Sequence, residues 1–327
     1  MPGPFRPAND VVLEVGAIRR LTPSVKAFVL RRPDGAPLPA LEPGAHIELE
    51  VLLANGAAAL RAYSPVNPGP APEHYEIAVQ REPTGRGGSA YLHDRVEAGD
   101  RLRATPPRND FALAPGAAEH LLIAGGIGIT PLLAMRRALV AAGARHVLHY
   151  VARTPELMAY REEVTAPGDG AHLHFDGGDP ARGLDIAALM AAPTPGRHVY
   201  VCGPRPLIEA VIEQGRRSGW PATHVHFEFF AEAAAHAGDR PIEVELRRSG
   251  RTIAVAADQT VLDGVLAAGI DALFDCRRGE CGVCTTDVLD GVPEHRDYYL
   301  TDKEKAAGRQ MCICVSRARG ERLVLDL

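Results

Sequence analysis

The chain has no excess of positive charge, no long apolar run and no leader-like start, and each absence removes a class of function. Thirty-six basic residues face 41 acidic ones, a formal net charge of −5 over 327 residues, so no overall basic field favours nucleic acid. The most apolar stretch, Leu121 to Met135, is short and broken by Gly125, Gly126, Gly128 and Pro131, whereas a membrane-spanning helix needs about 20 apolar residues. The opening residues MPGPFRPANDVV lack the basic-then-apolar order of a secretory signal. A soluble cytoplasmic protein is therefore expected. Internal repeats are missing, as are a nucleophile elbow and a zinc-protease motif.

What is present falls into segments. Residues 1–113 read as all-β, with short alternating or β-branched runs at Val11–Val15, Val25–Arg31, His46–Val51, His74–Gln80 and Arg101–Thr105 separated by Gly and Pro turns, the pattern of a small barrel. From 114 to 230 strands alternate with helical stretches. Leu121–Ala124 leads into a glycine turn, Thr130 is a plausible N-cap with Pro131 at the first helical position, Gly143 is a stop, and Val147–Val151 completes a βαβ unit. Further strands are expected at His172–Phe175, Val199–Cys202 and His224–Phe229, which implies a parallel sheet with ligands at the carboxyl ends of its strands. Residues 231–241, AEAAAHAGDRP, are small and polar and read as a linker. The segment 242–327 opens with a hairpin turning at Ser249-Gly250, then a short helix capped by Thr260 and ending at Gly269.

Six cysteines are present, five of them between Cys276 and Cys314. In a chain of this size without a secretory signal, clustered thiols point to a metal or redox centre rather than to disulfides. Cys276, Cys281 and Cys284 form C-x4-C-x2-C, the start of the plant-type 2Fe-2S pattern. One loop must wrap a compact dimetal core, and Gly279 and Gly282 let its backbone come close enough to aim N–H groups at sulfur. Structural zinc sites usually pair their ligands as C-x2-C twice, and only one such pair occurs here. The fourth thiolate comes from Cys312 or Cys314, which face the same way if they share a strand.

Two further sets of residues suggest phosphate binding. Gly126-Ile127-Gly128-Ile129-Thr130-Pro131 stands at a strand-to-helix junction, where glycines allow close approach and a helix N-terminus offers free N–H groups. Cys202-Gly203-Pro204 ends a later strand on the same rim. In the first segment, Gly85-Arg86-Gly87-Gly88-Ser89 reads as a loop entering a helix at Ala90, with Arg61 able to bond the same phosphate, while Tyr63 can lie against a planar ring and Ser64 can bond its edge. His172/His174 and His224/His226 have the spacing of one strand face, a commoner use of such pairs than metal binding. Arg277 and Arg278 are either solvated or positioned for an acidic partner.

In this order, Arg61-Ala62-Tyr63-Ser64, GRGGS (85–89), GGIGITP (125–131), CGP (202–204), FEFF (227–230) and C-x4-C-x2-C…C resemble the phthalate dioxygenase reductase family, vanillate O-demethylase reductases in particular, over nearly the whole chain. The resemblance implies a flavin-binding β-barrel, a parallel α/β NAD-binding domain and a C-terminal plant-type ferredoxin domain of the β-grasp type. It implies FMN held by Arg61, Ala62, Tyr63, Ser64, Val79, Gly87, Gly88 and Ser89, and NADH held by Gly126, Gly128, Thr130, Pro131, Arg153, Cys202, Gly203 and Pro204. Cys314, followed by Val315-Ser316, becomes the fourth cluster ligand with Cys276, Cys281 and Cys284, which leaves Cys312 as a small buried hydrophobe. Ser64 and Phe230 fall at the reacting ring, although Phe229 replaces a small polar residue of the family and leaves open which phenylalanine faces the flavin. Because Arg153 can accept a 2′-phosphate, NADPH stays open beside NADH. The implied activity is hydride transfer to FMN and single-electron delivery through the cluster to a Rieske-type aromatic oxygenase, by a monomer. A cytochrome P450 is the alternative acceptor; a non-catalytic redox sensor is disfavoured by the intact glycine rim.

Overall fold

The computed structural model describes residues 10–165, 170–231, 236 and 238–327. Residues 1–9 of the expected barrel segment, and 232–235 and 237 of the expected linker, lie outside the described residues. Chain contacts divide into two compact units, Met1–Phe230 and Ala231–Leu327.

The first unit begins with six antiparallel strands, β1 (Val11–Thr22), β2 (Val25–Arg31), β3 (Ile47–Leu52), β4 (Ala58–Tyr63), β5 (Tyr75–Gln80) and β6 (Arg101–Ala104), with the short helix α1 (Gly88–Asp94) before the last. Their order in the sheet is β4-β3-β6-β1-β2-β5, and β4 and β5 approach each other where the sheet curls. Alternate residues point inward, as with Ile47, Leu49 and Val51 on β3, and they fill the barrel with Leu13, Phe28, Leu30, Tyr75 and Ile77. Two differences from the expected strands have clear causes. β1 continues past Val15 to Thr22 through a register shift between Val15 and Ala17, because a bulge accommodates Gly16 without ending the ladder. β4 was not expected: its alanines carry little β preference, and it forms because β3 offers it a full register from Ile47↔Tyr63 to Leu52↔Ala58.

A parallel sheet follows in the same unit, built from β7 (Glu119–Gly125), β8 (His146–Ala152), β9 (Ala171–Phe175), β10 (Arg197–Cys202) and β11 (Val225–Glu228), in the order β11-β10-β7-β8-β9. Helices α2 (Ile129–Ala141), α3 (Arg161–Val164), α4 (Ile186–Leu189) and α5 (Arg205–Arg217) connect them. β7 and β10 are nearly continuous buried runs, as expected of strands covered on both faces. Strand order reverses between β7 and β10, so the crevice of this doubly wound sheet opens there. Thr130 does not cap α2. A 3₁₀ turn at Gly126–Gly128 precedes the helix, Gly128 takes the cap position, and the Thr130 hydroxyl donates to the Ile127 carbonyl at 3.2 Å. The stop at Gly143 is observed, with φ +61.

Barrel and sheet share one core. Val25, Val66, Ala78 and Phe111 of the barrel segment pack with Leu122, Leu132, Leu133, Met135, Leu148 and Tyr200. The joint is also polar: the Arg137 guanidinium on α2 donates to the Val66 carbonyl at 2.8 Å and clasps Glu163 through two 2.7 Å bonds, and the Tyr160 hydroxyl donates to Glu76 at 2.9 Å.

The second unit contains β12 (Ile242–Leu246), β13 (Arg251–Val255), α6 (Val261–Ala267), β14 (Thr285–Asp290), β15 (Pro293–Glu294), α7 (Asp302–Ala307), β16 (Gln310–Cys312), β17 (Arg317–Ala318) and β18 (Arg322–Leu325). A mixed sheet, β13-β12-β18-β14-β16, packs against α6 through Val244, Leu246, Leu323 and Leu325 facing Val261, Leu262 and Val265. Thr260 and Asp263 form a capping box at the start of α6, and Gly269, with φ +72, follows its end.

Candidate functional sites: the sheet rim and the cysteine loop

At the switch point of the parallel sheet, two loops meet backbone to backbone. A Cβ on Gly128 would lie 2.3 Å from the Cys202 carbonyl oxygen and 2.5 Å from the Gly203 nitrogen; one on Gly203 would lie 2.8 Å from the Gly125 Cα. No side chain fits between them, so the ends of β7 and β10 form one continuous floor at the start of α2. Gly126 is left-handed, with φ +53, and its carbonyl accepts a hydrogen bond from the buried Tyr150 hydroxyl at 3.0 Å. Burial pushes that phenol well above its ordinary range. Thr130, Pro131 and Cys202 are buried, and Pro204 caps α5. Arg153 is exposed just beyond β8, its carbonyl accepting the Gly177 N–H at 3.0 Å.

The barrel's candidate residues gather beside this rim, because β5 lies against the Gly126–Gly128 turn. Arg61, Ala62 and Tyr63 end β4, and Ser64 follows, 5% exposed. The glycine-rich loop reaches Arg61 across the barrel. A Cβ on Gly88 would come within 3.2 Å of Arg61 Cγ, and one on Gly87, whose φ is +102, within 2.5 Å of the Ala54 nitrogen. α1 begins at Gly88, two residues before its expected start, and the Ser89 hydroxyl accepts the Glu82 N–H at 3.0 Å. Burial pushes the Tyr63 phenol up to about 12, so it stays a neutral ring at any working pH. Val79 points into the barrel core, and its carbonyl is paired with the His93 ring at 2.8 Å. The two phenylalanines are distinct. Phe229 is buried edge-on to Phe227, with the Arg205 guanidinium 4.3 Å above its ring, whereas Phe230 is 42% exposed.

In the second unit, Cys276, Cys281 and Cys284 lie on the loop before β14, and Cys314 lies in the turn after β16. The loop is shaped by three left-handed residues, Arg277 (φ +55), Gly279 (φ +78) and Gly282 (φ +72). Both glycines are sterically required as well. A Cβ on Gly279 would meet Val315 at 2.8 Å and the Asp297 Cα at 3.0 Å, and one on Gly282 would enter the Tyr299 ring at 2.2 Å. The Tyr298 N–H donates to the Gly279 carbonyl at 2.9 Å, and the Arg278 N–H donates to Cys276 Sγ at 3.4 Å. The buried Asp297 braces the neighbourhood by accepting the Leu300 N–H at 2.8 Å and the Ser316 hydroxyl at 3.3 Å.

These thiols suit a dinuclear core. Among the described residues no three His, Cys, Asp or Glu side chains converge on one ion-sized point. The sulfurs lie in two neighbouring groups instead, Cys276 with Cys281 and Cys284 with both Cys312 and Cys314, and four cysteines are the number a 2Fe-2S centre needs. Hydrogen bonds from Cys312 and Cys314 hold Cys284 down to about 3, and the same contacts, with burial, push Cys312 and Cys314 up. Several thiolates can share such a space only with cationic charge among them.

His172 and His174 lie on β9, whereas of the other pair only His226 is on β11 and His224 ends the 3₁₀ turn before it, and each pair stacks on a third ring. His149 stacks on His172 and His174, with His149 Nδ1 3.0 Å from His174 Nε2, and His198 stacks on His224 and His226, with His198 Nδ1 2.9 Å from His226 Nε2. Arg137, Tyr150, Arg205 and Tyr299 were not singled out from the sequence. Each acts through a partner dozens of residues away or on another element, for which sequence pattern gives no signal.

A doubly wound sheet whose switch-point crevice faces a β-barrel, joined to a unit carrying a four-thiol loop, defines a flavin- and iron–sulfur-dependent oxidoreductase that draws on a pyridine nucleotide. Residues 13–112 match the family model described as the oxidoreductase FAD-binding domain, and residues 244–319 match the 2Fe-2S iron-sulfur cluster binding domain. The vanillate O-demethylase oxidoreductase of Pseudomonas sp. (strain HR199 / DSM 7063) is 40% identical over 316 residues, 96% of this chain and 98% of that protein. The solved structure of phthalate dioxygenase reductase, titled a modular structure for electron transfer from pyridine nucleotides to [2Fe-2S], superposes with a TM-score of 0.71 at 37% identity, covering 97% of this chain and 98% of the other. An intact type IV self-sufficient cytochrome P450 monooxygenase superposes with a TM-score of 0.72 at 35% identity, over 100% of this chain and 43% of the other. The chain belongs to the phthalate dioxygenase reductase family. It is an NAD(P)H-dependent electron-transfer oxidoreductase with flavin and 2Fe-2S cofactors. Among the described residues no helix is long and apolar enough to cross a membrane.

Proposed function

We propose that the chain is the NADH-dependent reductase component of a Rieske-type oxygenase or O-demethylase, using FMN and a 2Fe-2S cluster and acting as a monomer in the cytoplasm. When bound, NADH supplies a hydride, FMN accepts it and can release electrons one at a time, and the cluster carries them singly. The residues themselves bind and orient. Gly126 and Gly128 bring the backbone to the dinucleotide's pyrophosphate, where the N-terminus of α2, with Thr130 and Pro131 in its first turn, presents N–H groups and a positive dipole end. Cys202, Gly203 and Pro204 form the adjacent wall for the nicotinamide, and Arg153 stands at the ribose end. On the barrel, Arg61 with Gly87, Gly88 and Ser89 holds the flavin phosphate, Ala62 and Tyr63 lie along the ring, and Ser64 bonds its reacting edge. Phe230, the more accessible of the two phenylalanines, would be the one placed to shield the flavin ring. Alignment within contact distance, not proton transfer, is what these residues contribute to the rate. Cys276, Cys281, Cys284 and Cys314 hold the cluster.

The observation carrying this reading is the side-chain-free contact of Gly125 and Gly128 with Cys202 and Gly203 beside the barrel, in the same chain as the four thiols. The P450 fusion that covers the full chain favours a second acceptor class, a cytochrome P450. Anaerobic reduction of a purified Rieske oxygenase and of a P450, each with NADH and with NADPH, tests both. Transfer to the oxygenase with NADH supports the first reading, and transfer only to the P450 replaces it with the second. Failure of NADH to bleach the flavin ends both.

A further inference from the structure

Tyr160 has a backbone conformation that its side chain does not favour. Its φ of +56 and ψ of +22 are left-handed, and among the described residues Arg277 is the only other non-glycine residue with a positive φ. For a bulky aromatic this is strain, kept only where the surroundings demand it. The neighbours show what the strained turn achieves. Tyr160 is buried, and its hydroxyl donates to the Glu76 carboxylate on β5 at 2.9 Å. Burial, with that carboxylate beside it, pushes the phenol well above its ordinary range, so it stays a donor. The same turn opens α3, whose Glu163 takes two 2.7 Å bonds from Arg137. Arg137 Nη1 donates to the Val66 carbonyl at 2.8 Å. Val66 is fully buried just beyond Ser64, and its own N–H donates to the Glu76 carbonyl at 2.8 Å.

Both bonds therefore end on adjoining parts of the barrel, the chain leaving Ser64 and β5. Arg137 itself stands about two turns along α2 from Ile129, where the glycine rim ends. Apolar packing already joins barrel and sheet through Val66, Ala78 and Leu133. Such packing resists separation but has no direction, whereas a forked guanidinium and a charge-assisted hydroxyl bond fix register. We propose that Arg137 and Tyr160 are positioning residues for hydride transfer, holding the strand end at Ser64 in register with the glycine rim at the start of α2. This rests on the assignment of those two places to flavin and nucleotide given above. Each residue acts through another group, Arg137 through the Val66 carbonyl and Tyr160 through Glu76. Losing either bond lets the barrel slip against the sheet, which slows transfer without weakening nucleotide binding.

The test uses the full-length protein with its flavin and cluster in place, mixed anaerobically with NADH in a stopped-flow instrument. Arg137→Met keeps the reach of the side chain but not its donors, and Tyr160→Phe removes one oxygen. Each is expected to lower the limiting rate of flavin reduction roughly tenfold, short of the ~10²-fold cost of a ~1 Å misplacement, at an unchanged half-saturating NADH concentration. The long-wavelength absorbance shared by a stacked nicotinamide and flavin weakens in parallel. Hydrogen–deuterium exchange on protein without nucleotide gives an independent readout, the Val66 amide exchanging faster in both variants. Glu76→Gln keeps the wild-type rate, because its amide oxygen still accepts from Tyr160. Wild-type limiting rates in both folded variants overturn the proposal even where the unfolding midpoint drops, since that marks a structural role alone. A higher half-saturating NADH concentration at an unchanged limiting rate also overturns it, as does wild-type exchange at Val66 in both variants. A loss in Glu76→Gln as large as in Tyr160→Phe removes the hydroxyl bond from the argument and overturns it too. If Arg137→Met does not fold, Tyr160→Phe decides by itself. Failure of NADH to reduce the flavin of the wild-type protein defeats the reading of the rim, a failure that shows before any variant is made.

Discussion

Gly128→Ala is the sharpest test of the nucleotide rim, because its cost is purely steric. Gly128 has φ −62 and ψ −3, a conformation alanine adopts without strain. The added methyl would nevertheless lie 2.3 Å from the Cys202 carbonyl oxygen, 2.4 Å from its carbon and 2.5 Å from the Gly203 nitrogen. These are backbone atoms that cannot swing aside, so the two loops must part by about 1 Å to restore ordinary contact, and misplacement on that scale costs about 10²-fold in rate. NADH-driven flavin reduction in an anaerobic stopped-flow instrument should fall about 10²-fold, while dithionite reduces flavin and cluster as in wild type. Gly126→Ala is the contrast. No atom lies within 4 Å of its Cβ, but φ is +53, so the cost is conformational, about 1–2 kcal/mol of stability, with flavin reduction little changed. Wild-type reduction kinetics in a correctly folded Gly128→Ala protein would refute the assignment of this rim.

Serine at Cys276, Cys281, Cys284 or Cys314 should abolish the iron–sulfur spectrum while NADH still bleaches the flavin, and transfer to a one-electron protein acceptor should fail; persistence of the cluster in any of the four removes that residue from the ligand set. Burial and neighbouring histidines hold His149 and His226 down to about 4. The unfolded chain therefore binds protons that the folded chain refuses as pH falls from about 6.5 towards 4, and stability declines across that window, by about 1 kcal/mol per ring at pH 5 after allowance for solvent screening. Urea midpoints at pH 7.5 and pH 5 measure this, and a His149→Phe, His226→Phe protein with an undiminished pH slope contradicts it. The Arg296 guanidinium holds the Asp239 carboxyl down to about 2. The stabilisation is present above the unfolded carboxylate's pKa and is lost as pH falls towards 2, so Asp239→Asn should lower the unfolding midpoint of the C-terminal unit at pH 7 but not at pH 2.

What could be read from the sequence was local. The C-x4-C-x2-C spacing, the glycines at 279 and 282 and the Thr260 cap act within a few residues of themselves, and each stands in the structure where local chemistry puts it. β4 was not legible, because Ala58-Ala59-Leu60 becomes a strand only when β3 supplies a partner ladder. Thr130 was misjudged as a cap because nothing local announces that a 3₁₀ turn will bring Gly128 to that position. The Arg137 bond to Val66 and the Tyr150 bond to Gly126 join residues 71 and 24 positions apart, and both depend on how barrel and sheet pack. The glycines of the rim were legible as glycines, but the reason for them was not. Would-be methyl groups on Gly125 and Gly128 collide with Cys202, Gly203, Pro204 and Leu207, contacts that exist only once β7 and β10 are neighbours.

That contact also explains why so little of the chemistry is carried by side chains. Hydride and electron transfer need no acid, base or nucleophile from the protein; they need two planar rings held face to face and a metal core held within reach of its backbone donors. A chain meets those needs by removing atoms where its own loops must close on one another around the sites, at Gly87, Gly88, Gly128, Gly203, Gly279 and Gly282, and by bracing the spaces from behind with Tyr150, Arg137 and Asp297. Substitutions that add a single carbon at the first set should therefore damage turnover more than losing a charge from the exposed Arg153. The acceptor's substrate is chosen on another protein, so rim and cysteine loop can remain the same while a demethylase or a P450 takes the electrons.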